Sequence, residues 1–326
     1  QASNTSLTGG STPNGKYDRD LFIINTLKLN NIILINNAKQ VVAFPGSTLY
    51  KLEKKLQKFE RAPHSEIGSS CIGASIVGGI CNNSGGALIK RGPAYTELSL
   101  YAKVNKNGKL HLVNNLGINL GNSPEQILSN LDNGNIPSNK LFKTKRKASS
   151  LDYKNVIKDV DASSPARYNA DKKRLYEASG CAGKLAVFAV RLDTFEKEKN
   201  EITFYLSSNS PDDLTLFRRK VLKEVKDLPI YAEYMHRDAY NISKKYGKDA
   251  FLLIYYLGSH TMPFFYKVKS KIEKYFGNSK LFSSYSLDYI LHFFTKLIPH
   301  PISKKFDYLN NKFEHHLILK FDRSIY

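Results

Sequence analysis

Twenty consecutive residues, Ile67 to Gly86, read IGSSCIGASIVGGICNNSGG and hold six glycines and four serines without one Lys, Arg, Asp or Glu. Glycine and serine at that density let backbone N–H groups point at an anion while no side chain blocks its approach, which is how loops hold a pyrophosphate. A second stretch of the same kind, ASNTSLTGGS, occupies positions 2 to 11. Two such loops imply a long diphosphate ligand embraced from two sides. Neither matches G-x-x-x-x-G-K-[ST] or a strand-borne G-x-G-x-x-G, which disfavours a P-loop nucleotidase and a Rossmann dehydrogenase. The competing reading is that the glycines merely make tight turns between strands.

With 326 residues the chain can form two domains, and its 41% hydrophobic content excludes a disordered polymer. Forty-nine Lys and Arg against 29 Asp and Glu leave a formal charge of +20. That excess points to an anionic partner: nucleic acid, an acidic membrane face or a phosphorylated ligand. Cys71, Cys81 and Cys181 are an odd set with no C-x-x-C pair. Neither a disulfide framework nor a zinc site is expected from them, and a reducing cytosolic face is the simplest setting. No apolar run approaches the about 20 residues a spanning helix needs, FLLIYYLG at 251 to 258 being the nearest candidate. The opening residues have neither the basic region nor the apolar region of a signal peptide. They read as a functional loop that has lost something in front of it.

Along the chain, Leu21 to Thr26 and Ile32 to Ile35 read as strands, and NNAKQ turns into VVAFPG. From Ser47 a helix is expected, with Leu49, Leu52, Leu56 and Phe59 on one stripe. ELSLYAKV and KLHLV form a hairpin about NKNG, and Ser123, Pro124 and Gln126 mark a helix start. Residues 133 to 162 read as a basic surface excursion. The segment SGCAGKLAVFAVRLDTF at 179 to 195 runs from a small-residue turn into a β-prone strand, EITFYL repeats that pattern, and SPDDLTLFRRKVLKEVKDL is a helix capped by Ser210. Strands and helices are mixed without regular βαβ alternation, so the fold class is α+β.

Between His236 and Lys312 the composition changes. Those seventy-seven residues hold thirteen Lys and Arg, five Asp and Glu, and seventeen Phe or Tyr. Aromatic and aliphatic residues interleaved with lysines suit an anionic membrane surface, with rings at headgroup depth. Stacking on single-stranded nucleic acid uses the same residue types, though no recognisable motif accompanies them. An ordinary basic helical domain with its aromatics in its core is the third reading.

Four long motifs are more specific than any of these patterns: PHSEIGSSCIGASIVGGICNNSGG at 63 to 86, RGPAYTE at 91 to 97, ARYNAD at 166 to 171 and SGCAGKLAVFAVRLDTF at 179 to 195. Together they resemble the bacterial quinone-dependent D-lactate dehydrogenase family, flavoproteins with the FAD-binding fold of the vanillyl-alcohol oxidase and p-cresol methylhydroxylase superfamily. The resemblance continues through EYMHRD at 233 to 238, YGKD at 246 to 249, MPFF at 262 to 265 and EHHLILK at 314 to 320, so it covers essentially the whole chain.

The resemblance implies an FAD-binding domain over 1–193, a cap segment over 194–235, a membrane-association module over 236–312 and a returning cap segment over 313–326. It implies non-covalent FAD, with Ala2, Ser3, Asn4, Thr5, Ser6, Gly10 and Ser11 at the pyrophosphate. Gly68, Ser75 and Gly85 match the loop that wraps the flavin and its phosphates, and Val187 matches the backbone that meets the adenine end. Ser6 stands where relatives commonly have glycine, and a left-handed serine there would cost on the order of 1 kcal/mol.

The implied reaction is oxidation of D-lactate to pyruvate, with electrons passed to membrane quinone on an anionic phospholipid surface, at the cytoplasmic face of the bacterial inner membrane. No metal and no nucleic acid are implied. Such a reaction needs a base for the hydroxyl proton and cations for the carboxylate. The candidates are His64, His236, Arg237, His315 and His316. Adjacent His315 and His316 face opposite ways on a strand, so one pocket cannot take both. Compared with the family, the chain looks truncated at both ends, and FDRSIY does not follow it after LILK. The second reading is therefore an inactive remnant that keeps flavin or anionic-lipid binding.

Overall fold

The computed structural model describes residues 1–6, 9–13, 15–65, 73–168, 170–276 and 284–323. They divide into two compact units, Gln1–Asn200 and Glu201–Tyr326.

The first unit opens with an irregular segment, and the first strand expected from the sequence is not there. Leu21 to Thr26 is apolar but exposed, Phe22 at 88%, and its backbone pairs with no strand among the described residues: the Gln1 ammonium donates to the Ile24 carbonyl at 2.8 Å, the Thr26 N–H to the Gln1 carbonyl at 2.9 Å and the Leu29 N–H to the Thr26 carbonyl at 2.9 Å. Strand-like composition becomes a strand only where a ladder partner exists. The first regular element is β1 (Ile32–Ile35), which turns through left-handed Asn36, Asn37 and Ala38 into β2 (Gln40–Ala43).

Helix α1 (Leu49–Leu56) follows, with Thr48 Oγ1 accepting from the Lys51 N–H at 3.2 Å as its N-cap. Leu49, Leu52 and Leu56 are buried, whereas Phe59 lies past the helix end and is exposed. After the two-residue strand β3 (Arg61–Ala62) comes α2 (Ile76–Cys81), set inside the glycine-rich stretch. The hairpin β4 (Ser99–Val104) and β5 (Leu110–Asn114) and helix α3 (Pro124–Asp132), capped by Ser123, form as the sequence indicates. The basic excursion is not wholly superficial, because α4 (Tyr153–Lys158) buries Tyr153 and Ala148, Ser149 and Ser150 are buried just before it. Strand β6 (Ala186–Asp193) and the short β7 (Phe195–Glu196) complete the unit.

These strands form an antiparallel sheet in the order β1-β2-β6-β4-β5, and β3 pairs with β7. Alternation sends Val41, Ala43, Val190 and Leu192 to one face, where α1 and α2 pack with Leu52, Leu56, Ile76 and Ile80. The other face carries Val42, Leu100 and Ala189 against Leu116, Ile118 and the Ile127 and Leu131 of α3. Two layers of helix and loop thus sandwich the sheet, which meets the α+β expectation.

The second unit holds β8 (Glu201–Ser208), α5 (Pro211–Glu224), β9 (Tyr231–His236), α6 (Arg237–Tyr246), α7 (Lys248–Leu257), α8 (Met262–Phe276), α9 (Ser284–Lys296), α10 (Lys304–Lys312) and β10 (His315–Asp322). Strand β10 lies between β8 and β9, antiparallel to both. Leu317, Leu319 and Phe321 point to one face and pack with Leu214 and Val221 of α5. On the opposite face His316 is fully buried, and Tyr205 there meets Phe306 of α10 edge-on at 5.1 Å. Among the described residues no helix is long and apolar enough to cross a membrane.

Candidate functional site

The two loops singled out in the sequence come together in the first unit. A Cβ built on Gly73 would stand 3.7 Å from Ser3 Oγ, so the 2–11 loop lies against the entry to α2. Gly73 has φ 107°, a conformation that residues with a Cβ rarely adopt. Two residues on, Ser75 caps α2: its Oγ accepts from the Gly78 N–H at 3.1 Å. The Leu49 N–H donates to the Ala74 carbonyl and the Ile76 N–H to the Ser47 carbonyl, both at 3.0 Å, tying this loop to the start of α1.

In the first loop Asn4 has φ 52° and its Oδ1 accepts from Ser11 Oγ at 2.7 Å and Thr12 Oγ1 at 2.9 Å. The Gly10 N–H donates to Ser6 Oγ at 3.4 Å. Among the described residues of this loop the left-handed ones are Asn4 and Gly9. Ser6 is not among them, so the strain expected for a serine at that position does not arise; asparagine, whose short amide tolerates the left-handed region, takes it instead. Ala2 and Thr5 are half-buried in the same loop. Gly68 lies outside the described residues.

Gly85 is held from two sides. Its carbonyl accepts from Ser65 Oγ at 3.1 Å, and Arg167 lies against its α-carbon, where a Cβ would come within 3.2 Å of Cδ. Arg167 donates to the carbonyls of Gly86 and of Leu88, the latter at 2.9 Å, and to Tyr153 Oη at 3.1 Å, while stacking over the Tyr153 ring. The fork of a guanidinium matches several carbonyls at once, which explains an arginine in ARYNAD. Sequence reasoning recorded the motif without assigning this residue a task.

Val187 sits in β6 opposite Tyr101 and packs on the core of α1 and α2. Strand β2 pairs with β6 only from Val190 to Asp193. The β2-side edge of Ala186 to Ala189 therefore meets no strand among the described residues, which leaves main-chain groups beside Val187 for another partner.

The histidine candidates separate. His64, beside the glycine-rich stretch, is 5% exposed and its Nδ1 has no hydrogen-bond partner among the described residues. Burial, aided by the charge of Arg91, lowers its pKa to about 4, so at neutral pH it is an uncharged imidazole. The other candidates lie in the second unit. His236 and His315 are direct partners in the β9–β10 register, with ring centroids 5.3 Å apart, and Tyr234 Oη meets His315 Nδ1 at 2.7 Å. His316 turns to the other face, as strand alternation demands, where Ser207 Oγ meets its Nδ1 at 2.9 Å and burial lowers its pKa. Arg237 is engaged by Glu314 at 2.7 Å.

Residues 2–113 match the family model described as FAD binding domain, and residues 203–325 match the one described as D-lactate dehydrogenase, membrane binding. The chain is 53% identical to the quinone-dependent D-lactate dehydrogenase of Escherichia coli, over 98% of this chain and 56% of that protein. It is 50% identical to the protein of the same name from Haemophilus influenzae, over 98% of this chain and 57% of the relative. The one from Corynebacterium glutamicum is 39% identical over 99% and 57%. Over nearly its whole length the chain is similar to quinone-dependent D-lactate dehydrogenases. It spans little more than half the length of these relatives.

The residues of the two loops fit FAD. Positions 1 to 13 and 73 to 86 contain no carboxylate, while Ser3, Asn4, Thr5, Ser6, Ser11 and Ser75 supply hydroxyls and an amide. That donor set with bare backbone at Gly73 suits a pyrophosphate. The membrane-binding domain explains the second unit's surface: Phe264, Phe293 and Leu297 are 71%, 62% and 72% exposed, which rules against the reading that buries the aromatics in a helical core.

Proposed function

We propose that this chain carries the flavin half-reaction of a D-lactate dehydrogenase, oxidising D-lactate to pyruvate with electrons delivered to membrane quinone. The observation that carries the reading is the apposition of Ser3 and Gly73, which makes one cradle from two loops about seventy residues apart in sequence. Ala2, Ser3, Asn4, Thr5, Ser6, Gly10 and Ser11 would hold the pyrophosphate, Gly68, Ser75 and Gly85 the flavin side, and the open edge at Val187 the adenine end. FAD, when bound, supplies a two-electron acceptor for the hydride of the lactate C2 carbon.

The chain's own residues then have separable tasks. Ser75 fixes the first turn of α2 beside the cradle by accepting from the Gly78 N–H. Arg167 holds the 85–88 backbone in place. His64, neutral and with a free ring nitrogen, can accept a hydrogen bond but binds a proton too weakly to be the base at neutral pH. His236 and His315 pair across β9 and β10 in the second unit, with ring centroids 5.3 Å apart.

Residues 236–312 form the membrane-association module in this reading, docking on anionic phospholipid at the cytoplasmic face. Their net charge of +8 supports an acidic surface, since aromatics set the depth and lysines meet the headgroups. The test is the absorbance spectrum of the purified chain loaded with FAD, before and after anaerobic D-lactate. Bleaching of the flavin band supports the reading. A bound flavin that D-lactate leaves oxidised reduces the chain to a flavin-binding protein, and failure to retain FAD removes the cradle assignment as well.

A further inference from the structure

The cysteines offered nothing to a reading by spacing, yet two of them meet. Cys81 ends α2 inside the first glycine-rich stretch, and Cys181 lies in the turn before β6, a hundred residues later. Two backbone bonds clamp the segments side by side: the Gly180 N–H donates to the Ile80 carbonyl and the Ala182 N–H to the Cys81 carbonyl, both at 3.0 Å. The clamps make the two cysteines neighbours, and neither is in a disulfide.

We propose that Cys81 and Cys181 form a reversible dithiol–disulfide site, closed and opened by exchange with a low-molecular-weight disulfide of the glutathione class.

The surroundings make the two sulfurs unequal. The Cys81 thiol donates to Cys181, and N–H groups of Gly183 and Leu185 also point at the Cys181 sulfur; these contacts outweigh its burial and lower its pKa. Cys81 is pushed up by the same contact and by burial, and it stands at the carbonyl end of a helix, where negative charge is disfavoured. Cys181 is therefore the thiolate and Cys81 the resolving thiol. The side of Gly183 next to it is open, with no atom within 4 Å of where its Cβ would be.

The exchange balances. The Cys181 thiolate attacks one sulfur of the small disulfide, forms a mixed disulfide and expels one thiolate. Cys81 gives up its proton to that leaving group, and its sulfur attacks the Cys181 sulfur, expelling the second thiolate. The protein loses two electrons and the Cys81 proton, and the small disulfide becomes one thiol and one thiolate, which takes its proton from water. No flavin takes part, so the test is independent of the reaction proposed above.

Because the two clamps already hold the segments together, closing the bond requires little backbone movement. Its effect would be to join α2, whose other end Ser75 caps, to the strand that carries Val187.

The experiment incubates the 326-residue chain in mixtures of oxidised and reduced glutathione at neutral pH, quenches with acid, alkylates free thiols and maps the peptides by mass. The expected product is a two-proton mass loss and a linked peptide joining Cys81 to Cys181, reversed by excess reduced glutathione. In C81S the expected product is glutathione held on Cys181, and in C181S the disulfide at position 81 is absent. A bond from Cys71 to either partner overturns the proposal, as does a chain that stays fully reduced or one that only accumulates glutathione on Cys181. The wild-type map decides the question even if a variant fails to fold.

Discussion

Gly180 faces Asn83 so closely that a Cβ on it would stand 2.6 Å from Asn83 Nδ2. That amide donates to the Arg174 carbonyl at 2.9 Å, and Gly180 itself donates to Ile80. Ser179 Oγ meanwhile donates to the Thr96 carbonyl at 2.7 Å and accepts from the Thr96 N–H at 3.0 Å. The motifs at 63–86, 91–97 and 179–195 are therefore one packed unit around the cradle. Gly180 has φ 70°, so G180A adds left-handed strain to a clash with Asn83 and Leu175. A loss of about 2–4 kcal/mol is expected. A thermal midpoint equal to that of the native chain would contradict it.

G73A has the opposite profile. The added Cβ meets Ser3 at an ordinary 3.7 Å, but φ is 107°. The backbone must relax where the two loops meet, and the expected result is FAD affinity reduced about tenfold, with a stability loss on the order of 1–3 kcal/mol. Fluorescence titration with FAD, alongside a denaturation curve, separates the two effects. Unchanged affinity would count against Gly73 and Ser3 as a cradle.

The buried His64 gives a pH signature. Its folded pKa of about 4 lies below the ordinary 6.5, so between those values the unfolded chain binds more protons than the folded one. Stability then rises with pH through that window, and it is lost as pH falls below about 6.5, by on the order of 3 kcal/mol once pH reaches about 4. His316 is shifted in the same direction by burial, so the informative quantity is a difference. H64Q is expected to flatten part of the slope measured by denaturant unfolding at several pH values. An identical slope would place the proton uptake elsewhere.

Exposed rings on the second unit should govern lipid binding. Replacing Phe264 or Phe293 by serine removes a ring worth about 1.5–3 kcal/mol on burial, so vesicle affinity is expected to drop roughly tenfold or more for each. Vesicles carrying phosphatidylglycerol should bind more tightly than zwitterionic ones, and the excess should fade as salt shortens the screening length. Cosedimentation at low and high salt measures both. Equal binding to the two lipids would leave the anionic-surface assignment without support.

Much of this protein is legible locally. Ser123 with Pro124 and Ser210 with Pro211 announce their helices, because caps and first-turn residues act within four positions. The hairpin at Ser99–Asn114 and the apolar β6 are equally plain, since alternation and turn chemistry are properties of neighbouring residues. The glycine-rich stretches are legible for the same reason: bare backbone is a local property.

What the tertiary structure decided is what depends on pairing at a distance. Leu21 to Thr26 has the composition of a strand and is none, because no ladder forms beside it. His236 and His315 meet through the register of β9 on β10, and Cys81 reaches Cys181 through two main-chain bonds across a hundred residues. Sequence alone marked the capped helices, the hairpin at Ser99–Asn114 and the bare loops. Only the three-dimensional register of those segments decided which side chains share a site, because hydrogen-bonded pairing and burial are set by partners that proximity along the chain does not specify.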